Sequence, residues 1–128
     1  MNEETPESLI PYDDGNIFAR ILRGDLPSKI VLETEHSLAF HDVNPLAPIH
    51  VLVIPKGAFV SWDDFAAKAS DAEIADFTRT IGLVAAQVGA DQQGYRLLSN
   101  VGKRGGQEVP HLHVHLFGGA PLGPMLAR

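Results

Sequence analysis

The first periodic stretch of the chain, NIFARILRG, follows Gly15 and has the spacing of a short helix. Its apolar residues recur at three- and four-residue steps: Ile17, Phe18, Ile21 and Leu22. Asn16 is a residue type that caps helix N-termini, and Gly24 is one that commonly follows a helix end. The pattern therefore predicts a short helix between Asn16 and Gly24.

A longer helical pattern begins at Ser70, which can form an S-x-x-E capping box with Glu73. Behind this box an apolar stripe repeats at three- and four-residue steps: Ile74, Phe77, Ile81, Val84 and Val88. Gly89 lies close to the expected end. We therefore predict a second helix that packs one face against the core.

Four further stretches have the patterns of strands. KIVLETEHSLAFHDV predicts two short strands joined by a polar turn at residues 33–36, and HVLVIP is a near-continuous apolar run typical of a buried central strand. YRLLSN and HLHVHLF predict two more strands, while NPLAP and GKRGGQ are loops. The short connections favour hairpins, so the fold class is α+β with a mainly antiparallel sheet.

Length and composition place these elements in one domain. The chain has 128 residues, which is enough for a sizeable core but too short for two domains. The opening MNEETPESLIPYDDG is acidic and polar, so it is neither a signal peptide nor a membrane span. We expect residues 1–15 to be disordered and residues 16–128 to form a single domain.

The charge and the cysteine count narrow the function. The formal net charge is −6 and no block of Lys or Arg stands out, which argues against a nucleic-acid-binding protein. We therefore expect neither a nucleic acid nor a membrane as a partner. The chain has no cysteine, which excludes disulfides, zinc ribbons and thiol nucleophiles. A cysteine-free chain suits the reducing cytoplasm, where we expect this protein to act.

The histidine segment PHLHVHLFGG, residues 110–119, carries the candidate chemistry. On a strand, the side chains of His111, His113 and His115 share one face with Phe117, and the intervening apolar residues face the core. Three interpretations are open: an ordinary polar strand face, a metal site, and catalysis at phosphorus. A metal site would need further ligands from His50 or the carboxylates.

Catalysis at phosphorus fits the residue types best. A neutral imidazole, with an unperturbed pKa near 6.5, is a competent nucleophile at neutral pH, and a flanking imidazole can hold its tautomer or contact phosphate oxygens. The Gly105-Gly106-Gln107 loop just upstream offers backbone N–H groups that can surround an anion. We therefore expect neither a metal nor a cofactor.

Beyond the histidines, long blocks of the chain resemble one family. HLHVHLF fits the His-φ-His-φ-His-φ-φ signature of the histidine triad (HIT) nucleotide-binding proteins. NIFARILRGDLPSKIVLETEHSLAFHDVNPLAPIHVLVIPK and GYRLLSNVGKRGGQEVPHLHVHLFGG are similar to the two halves of its Hint branch, in the bacterial type, over about residues 16–119. The resemblance implies a five-stranded antiparallel sheet with two helices, joined side by side to a second sheet in a homodimer. It also implies binding of purine mononucleotides of the AMP or GMP type.

The same resemblance implies hydrolysis of purine nucleoside 5′-phosphoramidates or acyl nucleotidylates through a nucleotidyl-histidine intermediate. By matching position, His113 is the nucleophile, His115 binds phosphate oxygens, and His111 forms a supporting hydrogen-bond relay with His50. Asp42 matches the residue that accepts hydrogen bonds from the ribose hydroxyls. The complete nucleotide site implied in this way is Ile17, Phe18, Phe40, His41, Asp42, Val43, Leu52, Asn100, Gly106, Gln107 and Glu108.

Several of these positions have a plainer interpretation. Phe18, Phe40 and Leu52 suit an ordinary core equally well, and Asp42 can begin an Asx-type turn before Asn44. Three rival functions also stay open: a dinucleoside polyphosphate hydrolase of the same family, a non-catalytic nucleotide-binding interaction protein, and a metal enzyme.

Two departures from the animal Hint pattern bear on the leaving group. Glu108 stands where that pattern has Ser, and a carboxylate beside a phosphate repels it unless it is protonated or acts as an acid. The tail APLGPMLAR lacks the Trp-containing ending of animal Hint proteins, which reaches toward the partner's active site. The leaving-group preference therefore stays open.

Overall fold

Five strands form one antiparallel sheet in a computed structural model that describes residues 10–127. The sheet order is β1-β2-β3-β5-β4, so β3 and β5 are central and β1 and β4 are the edges. The strands span β1 Ile30–Glu33, β2 Ser37–His41, β3 Ile49–Pro55, β4 Arg96–Leu98 and β5 Val114–Gly118. The predicted α+β class with an antiparallel sheet is confirmed.

The helices include both predicted ones and one that was missed. Helix α1 spans Ile17–Leu22, and helix α3 spans Asp71–Gln87 with a complete Ser70–Glu73 capping box. Helix α2, Trp62–Lys68, is a third helix that the sequence patterns did not predict. Ser61 and Asp64 form a capping box that marks the start of this helix. The Asp64 carboxylate accepts hydrogen bonds from the N–H groups of Val60 and Ser61, each at 2.8 Å.

Alternation along the strands gives the sheet two different faces. One face, here called the helix face, packs against α2 and α3 with Ala39, Val51, Val53, Val114 and Leu116 among its fully or nearly buried residues. The opposite face carries a smaller apolar cluster under α1, built from Phe18, Leu38, Phe40, Leu52 and Ile54. His50, His115 and Phe117 also lie on this second face, here called the histidine face, because His50 pairs with Phe117 and Leu52 with His115.

The last strand is shorter than predicted. Strand β5 begins at Val114, so His111 and His113 precede it instead of lying within it. The backbone there is held by other partners: the N–H of Leu112 donates to the carbonyl of Phe59 at 2.8 Å, and the Ser99 hydroxyl donates to the carbonyl of His113 at 2.9 Å. Leu112, Val114 and Leu116 are buried as predicted.

The N-terminal segment divides into two parts. Residues 1–9, where disorder was expected, lie outside the described residues. Residues 10–15 are described, and the Tyr12 hydroxyl contacts the ring of His111 at 2.8 Å. Within residues 10–127, no helix is long and apolar enough to cross a membrane.

Candidate functional site

His111, His113 and His115 meet His50 on the histidine face, where β5 and the residues just before it lie beside β3. His111 is fully buried, His113 is 6% exposed and His50 is 3% exposed, while His115 is half-buried. The His113 and His115 rings lie 5.0 Å apart between centroids, and His50 and His115 lie 5.2 Å apart. The structure therefore brings the predicted histidines together, but with different partners for each ring.

His113 has one defined tautomer. Its Nδ1 lies 2.7 Å from the carbonyl oxygen of His111, and because a carbonyl only accepts, Nδ1 must carry the proton. The other nitrogen, Nε2, then bears a free electron pair. It has no hydrogen-bond partner within residues 10–127. Phe18 packs edge-on against this ring at 4.9 Å and limits its rotation.

His115 presents the opposite arrangement through a relay that starts at a backbone amide. The N–H of Leu46 donates to Nδ1 of His50 at 3.1 Å, which leaves the His50 proton on Nε2. That proton points to Nδ1 of His115 at 2.9 Å. Neutral His115 must then carry its own proton on Nε2, so it offers a donor where His113 offers an electron pair.

The predicted relay between His111 and His50 is wrong. His111 instead places Nε2 at 2.8 Å from the carbonyl oxygen of Pro55 and Nδ1 at 2.8 Å from the hydroxyl of Tyr12. The strand register explains the difference, since His50 lies opposite Phe117 and is the diagonal neighbour of His115, two residues before Phe117 on β5, whereas His111 lies before β5 begins. His50 therefore supports His115, and His111 supports His113.

Burial keeps these rings neutral. Desolvation is the largest cause of a lowered pKa at His111, His113 and His50. At His115, burial together with the neighbouring His113 and His50 rings lowers the pKa to about 4. Nearby carboxylates act in the opposite direction, Asp42 on His50 and both Asp42 and Glu108 on His113, but burial dominates. A neutral ring at pH 7 keeps its electron pair available.

Asp42 has two roles in the geometry. One carboxylate oxygen accepts the N–H of Asn44 at 2.8 Å, which is the Asx-type turn considered from the sequence. The other oxygen lies 3.5 Å from Nε2 of His50. Its side chain is partly exposed, so it remains available to a ligand hydroxyl.

Asp42 and the two hydrogen-bonded histidines, His50 and His115, are also the group that could hold a metal ion. Ligand atoms of Asp42, His50 and His115 lie within 4.8 Å of one another. The hydrogen bonding opposes that use, because the Leu46 N–H occupies Nδ1 of His50 and places the proton on the nitrogen that would bind the metal. The donor arrangement therefore suits a proton relay better than a metal centre.

The apolar positions of the predicted nucleotide site separate into two groups. Phe18, Phe40 and Leu52 lie together in the cluster under α1, each 4% exposed, so they form the floor beneath the histidines as well as part of the core. Ile17, His41 and Val43 are exposed. These outer residues are free to contact a bound group above that floor.

The glycine-rich loop is organised by its own hydrogen bonds. The N–H of Gly106 donates to Lys103 and that of Gln107 to Gly102, each at 3.0 Å. The Gln107 amide also donates to the carbonyls of Val60 and Val109 and accepts from Gly102. The expectation that Gly106 and Gln107 offer free groups to a phosphate is therefore not met.

Other groups in this region keep open donors. No residue in the described range 10–127 accepts from the N–H of Gly105 or Glu108, and Asn100 is half-buried beside the loop. Gly105 is required sterically, since a Cβ there would approach the carbonyl oxygen of Val101 to 2.4 Å. The loop shape is thus set by Gly105 and Gln107.

Sequence reasoning missed the groups that set the tautomers. The Leu46 N–H and the Pro55 carbonyl are backbone atoms with no residue signature, and the Ser99 hydroxyl supports the His113 backbone from β4's end. Tyr12 was missed because it belongs to an acidic stretch with no periodic pattern. An aromatic residue between Pro11 and Asp13 was the only available signal.

Comparisons with known proteins agree on the architecture. Residues 23–122 match the HIT domain family. A HIT-like protein of Azospirillum brasilense is 62% identical over 117 residues, covering 91% of this chain and 96% of that protein. The purine nucleoside phosphoramidase of Escherichia coli K12 is 42% identical, covering 88% and 93%. The solved HIT family hydrolase of Clostridium thermocellum superposes with a TM-score of 0.77 at 36% identity, covering 89% and 98%.

Proposed function

This chain belongs to the HIT domain family, and from that premise we propose that it hydrolyses purine nucleoside 5′-phosphoramidates or acyl nucleotidylates. The observation that carries the proposal is the tautomer of His113. Its Nδ1 proton is bonded to the His111 carbonyl, so a neutral nitrogen with a free electron pair, Nε2, is left to react. The name of the E. coli relative supports the substrate class.

In the first step, Nε2 of His113 attacks the α-phosphorus, and the bond from phosphorus to the amine nitrogen or carboxylate oxygen breaks. An amine leaves with a proton taken from solvent. The attacking ring of His113, now bonded to phosphorus through Nε2, becomes an imidazolium, and the His111 carbonyl, already 2.7 Å from its Nδ1–H, stabilises that charge. Water then attacks the same phosphorus and gives up a proton to solvent, the bond from phosphorus to Nε2 breaks, and the nucleoside monophosphate leaves neutral His113 with its proton still on Nδ1.

His115 stabilises the phosphoryl oxygens. The relay from Leu46 through His50 holds the proton of His115 on Nε2, where it can donate to an oxygen as negative charge develops. The N–H groups of Gly105 and Glu108, for which residues 10–127 provide no acceptor, and the Asn100 amide are additional donors. In this proposal Gln107 holds the loop in shape and does not itself contact phosphate.

The purine nucleotide lies on the floor formed by Phe18, Phe40 and Leu52. Asp42 accepts hydrogen bonds from the ribose hydroxyls through the carboxylate oxygen that faces His50. Exposed Ile17, His41 and Val43 cover the base from the solvent side. No cofactor is required, since a neutral imidazole is already nucleophilic.

We also propose a homodimer joined at the edge of β4. Within residues 10–127 no strand pairs with the outer side of β4, and the half-exposed Leu97 and Trp62 line a depression of about 440 Å³ beside it. Pairing two β4 strands covers both. Analytical ultracentrifugation is expected to give a dimer that Leu97→Glu dissociates, and a monomeric wild type would refute this surface.

The decisive experiment compares His113→Ala with wild type on AMP-amine phosphoramidates, acyl adenylates and diadenosine polyphosphates. We expect wild type to turn over the first two classes and His113→Ala to lose at least about 10³-fold in kcat, on the order of 4 kcal/mol. The variant should still bind AMP in calorimetry. His36→Ala, a substitution at a half-exposed histidine in the turn after β1, is the matched control and should keep full turnover.

Contrary outcomes are clear. Phosphoramidase turnover that survives His113→Ala would refute the nucleophile. Preferred turnover of diadenosine polyphosphates would favour the other hydrolase branch of the family. A wild type that binds AMP but turns over none of these substrates would favour a non-catalytic binding protein.

A further inference from the structure

Tyr12 lies before helix α1 and outside residues 23–122, which match the HIT domain family. Its hydroxyl is 2.8 Å from Nδ1 of His111, and the two rings pack with centroids 5.6 Å apart. We infer that Tyr12 is a positioning residue, which holds the ring of His111 and through it the reactive tautomer of His113. The catalytic part of this inference rests on the function proposed above.

The direction of the Tyr12 hydrogen bond follows from the opposite side of the ring. Nε2 of His111 is 2.8 Å from the carbonyl oxygen of Pro55, which only accepts, so Nε2 carries the proton. Nδ1 is then an acceptor, and the Tyr12 hydroxyl must donate to it. Both ring nitrogens of a fully buried histidine are thereby satisfied, which selects one tautomer and one orientation.

The link from His111 to His113 passes through the backbone. The His111 carbonyl accepts the Nδ1 proton of His113 at 2.7 Å, so the position of that carbonyl decides which nitrogen of His113 keeps its electron pair. The ring of His111 anchors this residue at two points, Pro55 and Tyr12. Without the Tyr12 hydroxyl, Nδ1 loses its partner among the described residues 10–127, and Pro55 alone is left to hold the orientation of the ring.

The expected effect is moderate because other bonds hold the same segment. The Leu112 N–H still donates to Phe59, and the Ser99 hydroxyl still donates to the carbonyl of His113. Loss of one neutral hydrogen bond typically corresponds to about a 3- to 10-fold change in a rate or equilibrium constant. Tyr12 is thus expected to tune the reaction without being essential to it.

The test removes only the hydroxyl with Tyr12→Phe. We expect kcat on an AMP-amine phosphoramidate to fall about 3- to 10-fold while KM changes by less than about twofold, since the nucleotide contacts are untouched. In long-range ¹H–¹⁵N spectra, the Nδ1 resonance of His111 should move. Tyr95→Phe is the matched control, because Tyr95 is the other tyrosine of the chain and is 40% exposed.

Combining Tyr12→Phe with a substitution of His111 shows whether Tyr12 acts through His111. In His111→Gln, the amide nitrogen replaces Nε2 as donor to Pro55, but no acceptor remains at the Nδ1 position. Adding Tyr12→Phe to this variant should change kcat no further, as a double-mutant cycle requires for a shared interaction.

Three results would overturn the inference. The first is a Tyr12→Phe variant with unchanged kcat and unchanged His111 resonances. The second is a fall in kcat on adding Tyr12→Phe to His111→Gln that equals its fall in the wild type. The third is a Tyr12→Phe variant whose melting temperature falls without any change in the His111 resonances. An inactive wild type would refute the proposed function instead. In that case the His111 and His113 resonances of Tyr12→Phe still decide whether Tyr12 holds their tautomers.

Discussion

The two faces of the sheet are built from alternate residues of the same strands, but one forms the apolar core and the other carries the histidines. On β3, Val51 and Val53 point to the helix face and His50 and Leu52 to the histidine face. The helix face meets α3 in a continuous apolar core. The histidine face is covered only partly, by α1, and there the buried residues include imidazoles whose polar atoms need defined partners.

The difference shows how a small domain separates stability from chemistry. Apolar packing on the helix face gains from every buried side chain and requires no particular proton position. On the histidine face, each ring is useful only in one tautomer, and that tautomer is imposed by backbone groups at Leu46, Pro55 and His111.

The largest effect is expected from Phe77→Ala on the helix face. Phe77 is 1% exposed and contacts the ring of Phe65 at 5.1 Å, so its truncation should lower the free energy of unfolding by about 3–5 kcal/mol. Because no histidine contact is altered, kcat per folded molecule should stay within about threefold of wild type. Urea denaturation and turnover measure the two quantities.

Leu83→Ala is the control for Phe77→Ala. Leu83 lies on the same helix but is 57% exposed, so its truncation should change the free energy of unfolding by less than about 0.5 kcal/mol. If Phe77→Ala abolished turnover while remaining folded, the two faces would be coupled and the division would be wrong.

An intermediate effect is expected from two substitutions of His115 on the histidine face. His115→Asn keeps a polar atom near Nδ1 but loses the Nε2 donor, so kcat should fall about 10²-fold. His115→Gln places an amide nitrogen near Nε2 and should recover part of that loss, about 10-fold. Steady-state kinetics on one phosphoramidate compares them.

Both His115 variants should stay close to wild type in thermal stability, unlike Phe77→Ala. Equal turnover of the Asn and Gln variants would show that the Nε2 donor of His115 is not used, and the relay through His50 would then have no catalytic role.

The smallest effect is expected from pH on the wild type. The half-buried ring of His115, whose pKa is lowered from 6.5 to about 4 in the folded protein, binds a proton more readily in the unfolded chain. The free energy of unfolding should therefore fall as pH decreases from about 6.5 to about 4. One such group contributes at most about 1.4 kcal/mol per pH unit, and less here since His115 is only half-buried.

Denaturation midpoints between pH 4 and pH 7 measure this slope. His115→Gln should flatten it, because one of the titrating rings is removed. A slope that is identical in wild type and His115→Gln would mean that His115 is not the group whose protonation destabilises the histidine face.

Much of the fold was predictable from local patterns. The capping box at Ser70 and the apolar stripe behind it located α3, and the Asn16 cap located α1. Helix α2 was missed because its seven residues have only one buried apolar position, Phe65, and so no stripe to detect. The start of β5 was predicted too early, because the alternation of polar and apolar residues includes Leu112 whereas the strand itself begins only at Val114.

The candidate site was predictable as a set of histidines but not as a network. Which ring supports which depends on register: His50 lies opposite Phe117, and this places it beside His115 instead of His111. The free phosphate-loop amides expected at Gly106 and Gln107 were lost to hydrogen bonds within the loop, which depend on its three-dimensional turn.

By itself the sequence determined the α+β class, the alternation that divides the sheet into two faces, the family, and the presence of three histidines in one segment. Only the tertiary structure decided the proton on each ring. Residue types and spacing specify which groups exist and which face they occupy. A tautomer depends on the nearest donor or acceptor in space, and at His111 those are Pro55 and Tyr12, 56 and 99 residues away along the chain.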